Sequence, residues 1–425
     1  MPGYLALVRG NRNFRLLWFA QIVSELGDWF YTVAIYSLLL EFTHKASSVG
    51  FAFLLQVLPQ FFIAPVAGVV NDHLSRRRVM MFADWTRAGV VLSMVLVTGP
   101  GRIWLLYTLL FLETVLWGLF EPGRNAAIPN IVPEGEVIRA NTLASITWSL
   151  NFTAGAAVGG LLAAYLGRDT VFVLNSLSFI GSALLIRRMR FTEPHVEAKT
   201  AVRARDLFAL TPVVEGIRYV RGKRRLRATI FVKCGIGVLG ANWVILPVLG
   251  ERVFAIHAPG MDIHQAGMLG MSALMASRGA GAILGPTAAT AWAGERGSRL
   301  RLTIALGFLA AFFGYIGLGF AATLLLACLA LVVAHSGLSS VWVISTTMLQ
   351  LQTDDAFRGR VFAAEFGFAV LTMSASSLIA GWLVDGGMAV ERVAMLAGVA
   401  MLAPVALWVW AQRFWREKTR APELQ

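Results

Sequence analysis

Charged side chains are scarce in this chain: Asp, Glu, Lys and Arg make up 14% of its 425 residues, against roughly 25% in soluble domains. Hydrophobic residues reach 57% and the mean hydropathy is +0.67. So little charge cannot coat a water-soluble particle of this size. A bilayer accepts such a chain, at about 20 apolar residues per crossing helix. Cysteine is nearly missing, and Cys234 and Cys328 both fall in apolar runs. That argues against a disulfide framework or a thiolate metal site and leaves apolar packing. No Gly-rich phosphate loop ending in Lys-Ser or Lys-Thr occurs, so an ATP-driven pump is not expected. Neither a metal-ligand cluster nor a nucleophile with its base can be assembled, so no metal, no cofactor and no enzymatic activity are expected. The net charge of +13 would suggest nucleic acid in a soluble protein. Here the basic residues lie in short segments between apolar runs, and nucleic-acid binding is not expected.

Apolar windows separated by turn or charge signals predict an all-α membrane protein of twelve transmembrane helices. The first six spans are expected near 14–41, 48–71, 79–98, 102–124, 137–165 and 169–187. The second six are expected near 226–250, 264–293, 300–320, 322–350, 359–385 and 391–413. The first apolar segment exceeds a signal-peptide core and carries acidic groups, so it is expected to remain as the first span. With the amino terminus in the cytoplasm, only Lys45, Arg102, Arg168, Arg252 and Arg392 of the 37 Lys and Arg fall outside, and Arg278 falls within a span. This asymmetry predicts cytoplasmic termini and an inner-membrane location. The longest polar stretch, 188–225, divides residues 1–187 from 226–425 into two six-helix halves. Within it, Thr211-Pro212 reads as a helix start. Leu207, Leu210, Val213, Val214, Ile217 and Val220 follow at helical spacing, predicting a basic amphipathic helix on the membrane surface.

Between the second and third spans stands Gly68-Val-Val-Asn-Asp72-His-Leu-Ser-Arg76-Arg77-Arg78. It resembles the signature loop of the major facilitator superfamily, with His73 and Ser75 where that loop usually carries a basic residue and Gly. The resemblance implies a conformational latch at Gly68, Asp72, Arg76 and Arg77. A close helix approach at Gly68 is expected, as is a charge contact from Asp72 to a helix N-terminus or an Arg. Glu121 and Arg124 are expected to join the latch, together with Asp84 and Arg87. Gly155-Ala-Ala-Val-Gly159-Gly160 is similar to the antiporter motif of drug–proton exchangers, with Ala156 in place of its usual Pro; the same small residues also suit a tight helix interface. Phe120-Glu-Pro-Gly-Arg124, Ile128-Pro-Asn-Ile-Val-Pro133, Ala140-Asn141, Asn11 to Arg15, Gly27-Asp28 and Arg358-Gly-Arg-Val361 resemble the enterobactin-exporter and macrolide-efflux branch. That resemblance implies two six-helix bundles, small-molecule efflux by alternating access, and a pathway lined by the first, fourth, seventh and tenth helices.

A charge at the bilayer centre costs at least about 2.5–3.5 kcal/mol, so each one needs a reason. Gln21, Ser24, Glu25, Asp28 and Thr32 share one face of the first span at helical spacing. Such a stripe is expected to face a cavity, and its two carboxylates are candidate proton-coupling groups. Glu113 is a third, one turn from Trp117. Asn242, Trp243, Arg278, His335, Ser339 and Trp342 complete the candidate substrate cavity, where Trp suits cation–π contact. Arg278 is expected to meet a carboxylate, with Glu25, Asp28 and Glu113 as candidates. A lone intramembrane His is more often a hydrogen-bonded packing residue, and His335 carries that alternative. The expected partners are a lipophilic or amphipathic small molecule, protons and the bilayer, with a monomer sufficient. A lysophospholipid or lipid flippase of the same fold, and a non-transporting membrane sensor or scaffold, stand as alternatives.

Overall fold

The computed structural model describes residues 2–193, 218–294, 296–354 and 357–416, which are helical without a strand. The helices are α1 (Pro2–Gly10), α2 (Arg12–Thr43), α3 (Ala46–His73), α4 (Arg76–Leu92), α5 (Ile103–Ile131), α6 (Val137–Leu166) and α7 (Arg168–Arg187). They continue as α8 (Arg224–Ile230), α9 (Val232–Gly237), α10 (Asn242–Arg252), α11 (Ile263–Ala293), α12 (Gly297–Gly319) and α13 (Leu324–Gln352). The last are α14 (Arg358–Asp385), α15 (Val390–Ala400), α16 (Leu402–Ala411) and α17 (Arg413–Arg416). The amphipathic helix expected from Leu207 to Val220 lies, apart from its last residues, outside the described residues.

Among the described residues, ten stretches are long and apolar enough to cross a membrane: 46–73, 76–96, 100–131, 134–166, 168–187, 224–252, 297–319, 324–352, 358–385 and 390–415. The other two expected spans also form long helices, α2 with 32 residues and α11 with 31. Their polar residues dilute the hydropathy: Gln21, Ser24, Glu25 and Asp28 in α2, and Ser272, Ser277 and Arg278 in α11. Among the described residues, twelve expected spans therefore have twelve helical counterparts.

Local sequence explains the ends. Asn11 caps α2 by accepting a hydrogen bond from Phe14 N at 2.9 Å, and the helix stops at His44 in the left-handed region (φ 55°). Ser75 caps α4 and Thr323 caps α13 in the same way. The seventh span departs from a single helix. Phe231 interrupts it after α8, and residues Val238–Ala241 form a 3₁₀ turn between α9 and α10, where Leu239 leaves helical geometry at ψ 15°. Asn242 Nδ2 donates to the Leu239 carbonyl there, taking up an acceptor released by the break.

The chain divides into two compact units: residues 1–44, 55–209 and 250–272 form one, and 45–54, 210–249 and 273–425 the other. In the first, α2 packs on α6 and α7, and α4 packs on α5 and α7. Glycines set these approaches. A methyl on Gly27 would run into Asn175 and Ser178 of α7, and one on Gly159 would meet the Phe30 backbone. In the second unit α12 packs along α13 and α15, and α9 with its 3₁₀ turn packs on α14. Gly307 and Gly337 face each other closely enough that neither tolerates a side chain.

Candidate functional site

Among the described residues, a cluster of charged side chains within the expected spans sits in the first unit, around Arg87 of α4. Its guanidinium is 1% exposed. Nη2 lies 2.8 Å from Asp28 Oδ2 and 2.6 Å from Glu113 Oε1, and Nε lies 2.9 Å from the same Glu113 oxygen. The third nitrogen, Nη1, is 3.6 Å from Asp84, a fully buried carboxylate. The Phe179 ring covers the guanidinium at 4.0 Å. Tyr31 donates to the other Glu113 oxygen at 3.3 Å. One arginine thus gathers carboxylates from α2, α4 and α5. A buried cation is tolerated because it is paired and hydrogen-bonded, and Arg has the planar fork for such multiple contacts.

Glu25 lies one helical turn before Asp28, and its surroundings differ. Gln21 Nε2 donates to Oε1 at 2.9 Å and Asn151 Nδ2 of α6 donates to Oε2 at 3.1 Å. Gln21 also donates to the Ala144 carbonyl at 3.0 Å, which ties it to α6. Neutral amides, rather than a guanidinium, hold this carboxylate. Asp28 keeps 20% of its side chain exposed, and its Oδ1 accepts no hydrogen bond. Thr32 is buried, with its hydroxyl donated to the Asp28 carbonyl at 2.9 Å. Trp117 is half-buried.

Two expectations change here. Arg87, assigned from sequence to a cytoplasmic latch, instead holds Asp28 and Glu113. Those two carboxylates, expected beside Arg278, are therefore engaged within their own unit. Glu121 and Arg124 pair with each other through two of the three guanidinium nitrogens, with Arg124 Nε at 2.9 Å.

The signature loop is stapled within the first unit. Arg76 Nη1 donates to the Ala126 carbonyl at 2.8 Å, and Arg77 Nη2 donates to the Arg187 carbonyl at 2.5 Å. Asp72 is 71% exposed and 3.9 Å from Arg76. It does not cap α4, because Ser75 takes that place. Nothing lies within 4 Å of a methyl built on Gly68, so the close approach expected there is absent among the described residues. It occurs one helix over, where Gly123 fits against Asn71. The glycines of the antiporter-like motif pack α6 onto α2, with Gly155 against Trp29 and Gly159 against Phe30.

In the second unit the Arg278 guanidinium lies 4.2 Å over the Trp243 ring, which itself stacks on Phe53 at 4.9 Å. Asn242 is buried at the 3₁₀ break. His335 is buried 3.1 Å from the Tyr315 hydroxyl, a packing arrangement between α12 and α13. Ser339 is half-buried nearby on α13. Trp342 carries a cation that sequence reasoning left among the cytoplasmic residues, Lys233, whose Nζ lies 4.2 Å from its ring. Lys233 pairs with Glu365 of α14 at 2.8 Å. The signal for both missed cations was present: Arg87 and Lys233 each fall inside an expected span.

A family profile described as transmembrane secretion effector matches residues 5–422. Among curated proteins, the chain is 28% identical to the uncharacterized MFS-type transporter YkuC of Bacillus subtilis over 242 residues, 56% of each chain. It is 24% identical to macrolide efflux protein A of Streptococcus pyogenes over 52% of this chain and 54% of that protein. It is 28% identical to the multidrug efflux pump Tap of Mycobacterium bovis over 50% and 52%. The matched regions span about half the length of these relatives. Among solved structures, a mutant of the nucleoside transporter NupG aligns with TM-score 0.75 at 10% identity, over 94% of this chain and 99% of that one. A POT family transporter bound to a thioalcohol-conjugated peptide aligns with TM-score 0.70 at 11% identity, over 95% and 96%. At such identities the likeness is one of fold.

Proposed function

We propose, starting from the fact that this chain belongs to the transmembrane secretion effector family, that it exports lipophilic or amphipathic small molecules in exchange for protons. The observation that carries the coupling is the charge balance around Arg87. One guanidinium meets Asp28, Glu113 and Asp84, with Glu25 a turn away and bonded only to amides. One positive charge cannot balance so many negative ones in a low-dielectric setting, so the cluster has room to bind and release protons. Asp28 and Glu25 are the groups we assign to that exchange. Asp28 is partly exposed and keeps one oxygen without a hydrogen bond, and Glu25 takes its hydrogen bonds from amides, with Arg124 acting on it only through space. Glu113 and Arg87 are assigned to holding Asp28 in place.

Export agrees with the names of two relatives, a macrolide efflux protein and a multidrug efflux pump. We place the protein in the inner membrane with both termini cytoplasmic, following the bias of Lys and Arg. The moving bodies in alternating access would be the two halves on either side of the 188–225 stretch, and a monomer is sufficient. The test is efflux of a fluorescent lipophilic cation and of a labelled macrolide from cells expressing wild type, Asp28→Asn or Glu25→Gln, with and without a protonophore. Protonophore-sensitive extrusion of either compound by wild type alone supports the reading. Failure with both, together with lysophospholipid uptake by the wild type, would replace it with the flippase.

A further inference from the structure

The second unit contains a buried charge site that the coupling cluster does not use. Lys233 on α9 is 5% exposed and Glu365 on α14 is 1% exposed. Lys233 Nζ lies 2.8 Å from Glu365 Oε2, 4.2 Å from the Trp342 ring and 6.0 Å from the Phe362 ring. Glu365 Oε1 is buried and accepts no hydrogen bond. A buried carboxylate and the face of a Trp that share one ammonium, with a second aromatic ring at its border, are the chemistry that recognises an organic cation. The ammonium that now fills this box comes from the protein itself.

A second observation bears on whether it can leave. Lys233 stands on the short helix α9, which is bounded by the interruption at Phe231 and by the 3₁₀ turn Val238–Ala241. Mid-helix 3₁₀ turns mark hinges, and broken spans mark binding sites in transporters. Lys233 also has a four-carbon stem with freely rotating donors, and is the kind of cation that gives up a point-charge contact more readily than Arg. The opposite wall is continuous: Glu365 and Phe362 both belong to the unbroken α14.

We infer that Glu365, Trp342 and Phe362 form a binding site for lipophilic organic cations, occupied in the resting protein by Lys233 as an internal stand-in. The inference deepens the export reading by naming one cargo class and its contacts. An arriving cation competes with Lys233, so the native site is weak and selects molecules with enough apolar surface to win the exchange. Without Lys233 the buried carboxylate has no counter-ion, and an external cation takes the place directly.

The experiment is equilibrium binding of tetraphenylphosphonium to the purified full-length protein in detergent, by calorimetry. Wild type, Lys233→Met, Lys233→Met/Glu365→Gln and Lys233→Met/Trp342→Leu are compared. Lys233→Met keeps the stem and removes the charge, and the double substitution with Glu365→Gln leaves a neutral pair that folds without a buried charge. We expect Lys233→Met to bind the probe about tenfold or more tightly than wild type. Addition of Glu365→Gln should remove that gain, and addition of Trp342→Leu should reduce it. Unchanged affinity in folded Lys233→Met, or a gain that survives Glu365→Gln, overturns the site. If Lys233→Met fails to give a monodisperse protein, the comparison is made with Lys233→Gln, under the same criteria. Binding is read without transport, so loss of proton coupling would not imitate failure of the site.

Discussion

At the scale of single residues, Arg87 organises the candidate site more than any other side chain. It is 1% exposed and within 2.9 Å of both Asp28 and Glu113. Arg87→Gln removes the cation that Asp28, Asp84 and Glu113 share and strands those carboxylates, a change that costs about 3–5 kcal/mol when a buried pair is broken. The expected outcome is a large drop in the thermal midpoint in detergent, partly restored when Glu113→Gln is added. Asp28→Asn, at a partly exposed position, should leave the midpoint much closer to wild type while still abolishing coupled export. A second test lies outside the spans. Tyr219 and then Lys223 hydrogen-bond Asp354, at 2.9 and 3.2 Å, and hold its carboxyl below the usual carboxylate range. The sign follows from the direction. The stabilisation is complete above the unfolded value of about 3.9 and is lost as pH falls through the lower folded value. The difference in thermal midpoint between wild type and Asp354→Asn should therefore be flat from about pH 5 to 8 and shrink only in stronger acid. The polar face of α2 was legible from spacing alone, because Gln21, Glu25, Asp28 and Thr32 repeat at helical intervals. The identity of its partner was not. Periodicity places a side chain on a face of one helix, whereas the Arg87 contact depends on how α2, α4 and α5 pack together.

At the scale of elements, the helices follow from apolar runs and caps. Asn11, Ser75 and Thr323 mark three starts, and the expected span limits lie within a few residues of the helices, except that α5 runs on to Ile131 past the expected end at 124. Breaks were harder to see. The seventh span is apolar apart from Arg227, Lys233 and Asn242, and its hydropathy alone does not separate α8, α9, the 3₁₀ turn and α10. The break becomes intelligible only with Gly237 and Gly240 pressed against Thr372 and Met373 of α14, where a regular helix bearing side chains would not fit. Of the small residues with two readings, Gly155 and Gly159 pack α6 on α2, whereas Gly160 faces Ser272 of α11. It follows that Gly159→Val should collide with the Phe30 backbone and destabilise by about 1–3 kcal/mol, measured as a lower thermal midpoint. Gly135→Ala, where nothing lies within 4 Å, is the matched control and should behave as wild type.

At the scale of the whole molecule, composition and charge bias indicate a multi-pass membrane protein and the motif resemblances a transporter, and the family match over residues 5–422 agrees. The direction of transport and the coupling ion are properties of a cycle; export is proposed from the efflux relatives, and proton exchange from the carboxylates around Arg87. The most direct measurement uses inside-out membrane vesicles energised to an acid interior and monitored with a pH-gradient dye. A compound found to be extruded in the cellular assay, a lipophilic cation or a macrolide, is added to wild type, Glu25→Gln and Asp28→Asn. The account predicts that the compound partly collapses the gradient in wild type and leaves it intact in both variants. Compound uptake by wild type with no change in the gradient, or an undiminished response in both variants, would contradict proton exchange through these two residues.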